Sequence, residues 1–351
     1  MKLTRRTLLK SGAGTLTAST VAGCLDDISA ADTDLDAGYA AFFTLWDWAE
    51  EVSGDAIDFE NPVGTGQAGH GWSPSGDLTR NIADAGVFVY FDTPAFSWAQ
   101  DVAATLEADY DTVAVIDGLA GLDDQLLGWD HEVDVSDHET EHGDEDHSDE
   151  DHSDEDDETH DDHGHDESSV DPHVWLDPVL ATEIVDTIAS GLADADPDNA
   201  ETYEEHAGTY IDDLESIDQQ FETVLDAADR RVAVFAGHDS FTYLQDRYGF
   251  EIHTPVGVSP QEEPSANDIS ETISLIDEEG IETILYDPFE DPDGAYPLVE
   301  TILEESTTAT DAIPVTHLSG TLATWQDEGW GYLEQMEEIN VPAFREVLDA
   351  Q

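Results

Sequence analysis

The fourteen histidines of this chain fall into two unlike groups. Eight lie in one stretch, 131–165, "HEVDVSDHETEHGDEDHSDEDHSDEDDETHDDHGH", set among Asp and Glu with no apolar face. The other six are scattered, and four of them sit next to ordered elements. His70 follows a strand in a glycine-rich loop, "AGHGWSP", and His173 stands in "DPHVWLDP" just before a helix. His238 comes directly after the strand "RVAVFAG", and His317 closes the strand "AIPVT". In parallel α/β sheets the carboxyl ends of the strands form the ligand crevice. Four imidazoles at such ends, two in each half of the chain, are therefore expected to converge on one metal ion across a cleft. His206, on a long helix, and His253, inside a strand, lack this placement and read as structural.

The acidic-histidine run has the right ligand types for zinc but the wrong setting for one tight site. A segment with nothing to bury loses conformational entropy for every ligand it brings to one ion. It reads as an accessory that holds several ions loosely, with a solvated acidic loop as the bland alternative. Two motifs mislead. "HETEH", His138 to His142, matches the H-E-x-x-H zinc-protease pattern, which needs a rigid amphipathic helix that these flanks cannot supply. "GTGQAG", with Gly64, Gly66 and Gly69, matches the dinucleotide fingerprint, but Pro74 and further glycines prevent the helix that must receive a pyrophosphate.

The elements that must position the four histidines alternate strand and helix. "AGYAAFFTLWDWAEEVSG" reads as strand, turn and helix, "AIDFENPV" as a second strand, and "GVFVYF" and "TVAVIDG" as further strands separated by a helix at 94–108. Such alternation predicts a parallel sheet covered on both faces. From Pro178 to about Ala228 the pattern is helical, broken by "ADADPDN", where Pro197 suits a first helical turn after a capping Asp196. The next thirty residues carry Tyr203, Tyr210, Leu214, Ile217, Phe221 and Leu225 at helical spacing, which suits a strut joining two lobes. Alternation then restarts and ends in a helix at about 328–349. The expected fold is α/β: two lobes, each a mainly parallel sheet flanked by helices, joined by a long helix. The expected divisions are a signal at 1–24, a tether at 25–36, and a first lobe at 37–196 with a disordered loop at 131–168. The connector follows at 197–228 and the second lobe at 229–351.

Asp and Glu total 85 against nine Lys and Arg, a formal charge of −76. The acidity runs through every segment, including those rich in Val, Ile, Leu and aromatics, which argues against an acidic disordered chain. It points to a protein working in very high salt, where screening shrinks to roughly 3 Å at 1 M. So few cations exclude nucleic acid as a partner. "TRRTLLK" places Arg5 and Arg6 before a short apolar stretch, as in a Tat export signal. That stretch is too short to span a membrane permanently. It ends in "VAGC", where Cys24, the only cysteine, is expected to be lipidated. An exported monomer tethered to the outer face of the cytoplasmic membrane follows, with no thiolate left for chemistry.

The motif order resembles the metal-uptake solute-binding proteins of ABC transporters, in particular the zinc branch (ZnuA-like, cluster A-I). "FFTLWDWAEEVSGDAIDFENPVGTGQAGHGWSPSGDLTRNIADAGVFVY" is similar to that family's opening unit, "DPHVWLDP" to its second ligand motif and "GHDSFTYLQDRYGFE" to its third. "GVSPQEEPS" resembles a loop without a ligand, and "YLEQMEEINVPAFREVL" the last helix. The resemblance covers nearly all of the chain beyond the tether, and zinc members often carry a His-rich acidic insertion at this point. It implies His70, His173 and His238 as ligands, a rigid connector helix, and the metal in the cleft between lobes. It further implies transported Zn2+ as the ligand, an ABC permease with its ATPase as partner, and no catalysis. Gly69 and "GWSP" depart from the family, which often has an acidic residue and an aromatic-Glu-Pro element there. The fourth ligand is open: His317 in "VTHLSG", with Asp287 or water as alternatives.

Imidazoles without thiolate suit a tetrahedral zinc site, whereas manganese and calcium prefer oxygen-rich, higher-coordinate ones. Manganese-type relatives carry a carboxylate at the third position, so His238 favours zinc, with Mn2+ the lesser candidate. Asp171, Asp177 and Asp239 are the expected acceptors for the second ring nitrogens. Two rivals come from other classes. A metal-dependent hydrolase would need an open coordination position and a general base, and no Glu stands out beside the four histidines. A surface metal buffer would place the function in the acidic-histidine run itself.

Overall fold

The structure, a computed structural model, describes residues 35–67, 69, 72–128, 170–256, 264–289 and 294–350. The signal with Cys24, the tether up to residue 34, the 131–168 run and His70 lie outside the described residues. No helix among the described residues is long and apolar enough to cross a membrane.

The first lobe opens with β1 (Ala37–Ala40), α1 (Phe43–Ser53) and β2 (Asp58–Glu60). It continues with α2 (Leu78–Ala85), β3 (Val87–Tyr90), α3 (Ser97–Asp109) and β4 (Ala114–Asp117). The strands form one sheet in the order β2-β1-β3-β4, every pair parallel. All four residues of β3, Val-Phe-Val-Tyr, are buried, as a central strand covered on both faces requires. The segment read as a helix at 94–108 divides: Pro94–Phe96 is a 3₁₀ turn, and α3 begins at Ser97.

Two helices follow, α4 (Pro178–Ala195) and α5 (Ala200–Asp226). The expectation that Pro197 opens the long helix is corrected, because α5 starts three residues later, after Asn199. Asp196 closes α4 instead. Its Oδ2 accepts from Asn199 Nδ2 and from the Tyr203 hydroxyl, each at 2.7 Å, so the carboxylate ties the bend to the first turn of α5. The apolar stripe of α5 is buried as its spacing predicts, with Ala207 and Val224 added to it. Its first half packs on α1 and α4, and its end meets the C-terminal helix.

The second lobe runs β5 (Val232–Val234), α6 (Thr242–Tyr248), β6 (Glu251–His253), α7 (Ala266–Glu279), β7 (Thr283–Tyr286), α8 (Pro297–Glu305) and β8 (Asp311–Pro314). Its strands pair as β5-β6 and β7-β8, all parallel. A single bridge, Phe235 to Leu285, joins the two pairs and repeats the strand order of the first lobe. A small core of Val234, Ile276, Ile281, Ile284, Val299 and Ile302 fills this lobe. The larger core runs without a break from the first lobe through α5 into Phe235, Phe241, Phe250 and Phe344.

The terminal helix is likewise not one piece. α9 (Ala323–Glu328) ends at Gly329 in the left-handed region, with φ 78°. Beyond it come α10 (Tyr332–Gln335), a wide π turn at Met336–Asn340, and α11 (Val341–Val347). Pro342, at the start of α11, has no N–H to return to the preceding turn, which is where a π turn is tolerated. Across the junction of both lobes, the buried Asp47 of α1 accepts from the Tyr210 hydroxyl of α5 at 3.1 Å and from Tyr332 N–H of α10 at 2.9 Å. Burial pushes its carboxyl up to about 7.

Candidate metal site

Three of the four histidines come together. His173 stands on a 3₁₀ turn, His173–Leu176, that leads into α4 from the first lobe. His238 follows β5 and is held by a parallel bridge to Val256. His317 follows β8 on the segment 315–321, every residue of which is buried. The His173 and His238 rings are 5.6 Å apart between centroids, and those of His238 and His317 are 5.3 Å apart. Two imidazoles sharing one tetrahedral zinc at about 2.1 Å per bond would have centroids about 5.2 Å apart. Both separations fit a shared ion. The cage is not closed, however: among the described residues no three His, Cys, Asp or Glu side chains enclose a cation position.

All three imidazoles are 3% exposed or less, so an ion among them would be shielded from water. Burial holds the His173 imidazole below its ordinary pKa, outweighing the neighbouring Asp171 carboxylate, and so keeps it neutral. Asp171 Oδ1 accepts from His173 Nδ1 at 2.7 Å and from the His173 backbone N–H at 2.9 Å. A proton fixed on Nδ1 leaves the Nε2 lone pair as the donor to a metal. We expect Asp171→Asn to weaken zinc binding roughly 10–100-fold, the usual effect of losing such an orienting carboxylate. An unchanged Kd by competitive titration would remove this role.

Asp177 does not take the orienting role expected of it. It caps α4 by accepting from Val179 N–H at 2.8 Å and Leu180 N–H at 3.3 Å, and its other oxygen meets Arg247 of α6 at 2.7–2.8 Å. A residue one turn from His173 is thereby committed to a helix terminus and to a lobe-bridging ion pair. Asp239 lies half-buried beside His238 with its carboxyl pushed to about 6 by burial, then by Asp171.

His317 has a partner for either tautomer. Ser319 N–H lies 3.1 Å from its Nδ1, and the Ser319 hydroxyl, which can accept a hydrogen bond from Nδ1–H, lies 2.9 Å away. With the proton on Nδ1, Nε2 is the metal-facing nitrogen. Asp287 Oδ2 is 3.6 Å from Nε2 and accepts the His317 backbone N–H at 2.9 Å. The two side chains offered for the fourth position, His317 and Asp287, thus occupy one corner.

His70 itself is not described, but the chain leading to it is. Gly66 N–H donates to Thr321 O at 2.8 Å, linking this loop to the His317 segment of the other lobe. Gly69 is pressed against Phe42 and Phe96, whose stacked rings are 4.7 Å apart. A Cβ there would come within 2.6 Å of Phe42 Cβ, which is a physical reason why no carboxylate stands at this position. His206 and His253 take the structural places expected of them. His206 Nδ1 meets Val52 O at 3.1 Å, and His253 Nε2 meets Thr272 Oγ1 at 2.9 Å.

The described residues on either side of the acidic-histidine run meet next to Asp171. Gly128 and Val170, its two flanks, form an antiparallel bridge, and Asp171 N–H donates to Leu127 O at 2.9 Å. The Tyr243 hydroxyl of α6 accepts from Leu127 N–H and donates to Asp171 O, each at 3.0 Å. Residues such as Tyr243 and Trp175, whose indole N–H donates to His317 O at 2.7 Å, carry no ligand-like signal in sequence. Only their neighbourhood in "DPHVWLDP" and "GHDSFTYL" marks them.

The chain is similar to known proteins over most of its length. A family model described as "Zinc-uptake complex component A periplasmic" matches residues 39–346. The zinc-binding lipoprotein AdcA of Streptococcus pneumoniae is 28% identical over 313 residues, 88% of this chain and 55% of its own length. The high-affinity zinc uptake system protein ZnuA of Bacillus subtilis is 27% identical over 307 residues, covering 88% of this chain and 86% of that protein. The Zn(II)-bound ZnuA-like domain of the pneumococcal AdcA superposes with a TM-score of 0.65 at 25% identity, over 89% of this chain and 98% of that domain. The chain therefore spans about half the length of AdcA and nearly all of its ZnuA-like part.

Proposed function

Since the chain belongs to the family of periplasmic zinc-uptake component A, we propose that it captures Zn2+ outside the cytoplasm and delivers it to an ABC permease. The ligands are His70, His173, His238 and His317, with Asp287 adjacent to the fourth position. The observation that carries this reading is the spacing of three buried imidazoles from both lobes, 5.3–5.6 Å between neighbouring rings. Imidazole-only donors favour zinc over manganese or calcium. The protein is proposed to act as a monomer in very high salt, exported by the twin-arginine segment and anchored through Cys24. After residue 24 the chain retains five basic residues, all arginine, which leaves a surface suited to screened conditions and not to polyanions.

The test is a competitive zinc titration in molar salt of the chain without its signal, with and without residues 129–169. We expect one tight site in both, because the three described histidines and their supports lie outside that segment. Loss of the tight site on deletion would move the function to the acidic-histidine run and make the protein a metal buffer.

A further inference from the structure

We propose that Thr44 and Trp175, both on the first lobe, are positioning residues that fix His317 from across the cleft by holding the turn at Leu318. The proposal rests on the reading of His317 as a ligand. Segment 315–321 is buried throughout, which is unusual for a loop because each backbone group then needs a partner. Its own lobe supplies some of them. Thr316 N–H donates to Asn340 Oδ1 and Thr316 O accepts from Asn340 Nδ2, each at 2.9 Å, while His317 N–H goes to Asp287. The two carbonyls that bracket the turn are met from the other lobe. Trp175 Nε1–H donates to His317 O at 2.7 Å, and the Thr44 hydroxyl donates to Leu318 O at 2.5 Å.

Leu318 has φ 61°, in the left-handed region that a branched side chain adopts only at a cost. Such a conformation persists where its surroundings over-determine it. Here the over-determining groups are donors on the opposite lobe. Moving the lobes apart at this point would strip both carbonyls of their donors together and let the turn relax, carrying the adjacent His317 with it. Ion capture and apposition of the lobes at this point are then one event. Thr44 is the cleaner probe of the two, since Trp175 also packs on the His173 ring, 5.3 Å away.

The experiment compares the full chain with Thr44→Val, Thr44→Ser, His317→Ala and the Thr44→Val/His317→Ala pair. Zinc Kd is read by competition, and the cobalt-substituted protein is read by its d–d absorption at saturating Co2+. We expect Thr44→Val to weaken zinc about tenfold and to shift the cobalt spectrum in the direction His317→Ala shifts it. Thr44→Ser should restore both, and Thr44→Val should add no further loss when His317 is already Ala. An equal loss in both backgrounds, or none in either, would overturn the positioning role. If His317→Ala changes neither readout, His317 is not a ligand and the proposal falls with that reading. If His317→Ala changes both while Thr44→Val changes neither, only the positioning role falls. Should Thr44→Val not fold, Thr44→Cys, which keeps a weaker donor, enters the same cycle.

Discussion

Replacing His173 and His238 by alanine together is expected to abolish tight zinc binding while leaving the chain folded. Structural zinc sites bind with about 10–16 kcal/mol over four ligands, or roughly 3 per ligand. Losing two should therefore weaken binding by about 10⁴-fold. The fold should survive, because both rings lie beside the core and not within its apolar clusters. The same measurement followed over pH has a fixed sign. Metal binding needs neutral imidazoles, so affinity falls as protons compete. Burial holds His173 below its ordinary value, so its own loss sets in below about pH 6.5. The metal-free protein follows the same direction. An unfolded chain takes up a proton at this position as pH falls through about 6.5, the folded chain resists it, and stability declines with pH. Tight binding retained by the double variant, or unchanged at pH 5, would place the metal elsewhere.

The second large effect lies far from any ligand. Phe221, near the end of α5, is fully buried and stacks on Tyr248 with centroids 5.2 Å apart. It also meets Phe344 of α11 at 5.9 Å, and Phe344 in turn meets Phe241 and Phe250 at 5.6 and 5.5 Å. Phe221→Ala empties the point where the connector enters the second lobe, and neighbours already engaged with one another cannot collapse into the gap. The expected cost is about 3–5 kcal/mol. Thermal unfolding of the metal-free protein in molar salt should show a fall on the order of 10 °C. A change of a degree or two would mean that this joint repacks and that the unbroken core does not bind connector to lobe.

Much of this molecule is legible in its residues, for identifiable reasons. The strands and α5 follow from periodicity, because a buried central strand and a one-faced helix leave patterns that tertiary contacts reinforce. His173, His238 and His317 are found by their relation to strand ends and a helix start, which is local information. Pro197 misleads for a reason equally physical. A proline after an aspartate suits a helix start, but the side chain of Asp196 reaches forward to Tyr203 and holds a turn open for three more residues. The break in the last helix turns on Pro342 and on Asn340, which binds the Thr316 peptide, a partner that local sequence does not show. Asp177 looks like a partner for a nearby histidine until Arg247, seventy positions away, takes it. The contact between Thr44 and Leu318 spans 274 positions and has no counterpart in any local pattern.

The bridge between Gly128 and Val170 bears on how such a protein can change over generations. Both ends of the segment between them leave the fold at one place, already paired and bolted by Tyr243. Gly128 and Val170 already sit side by side, so the entropy of bringing these two chain ends together is met by residues of the fold itself. Whatever stands between them, the fold holds the insertion's ends through Gly128 and Val170, and Val170 adjoins the aspartate that orients His173. Changes in the inserted sequence and changes in the fold around His173 are therefore joined through one paired set of residues.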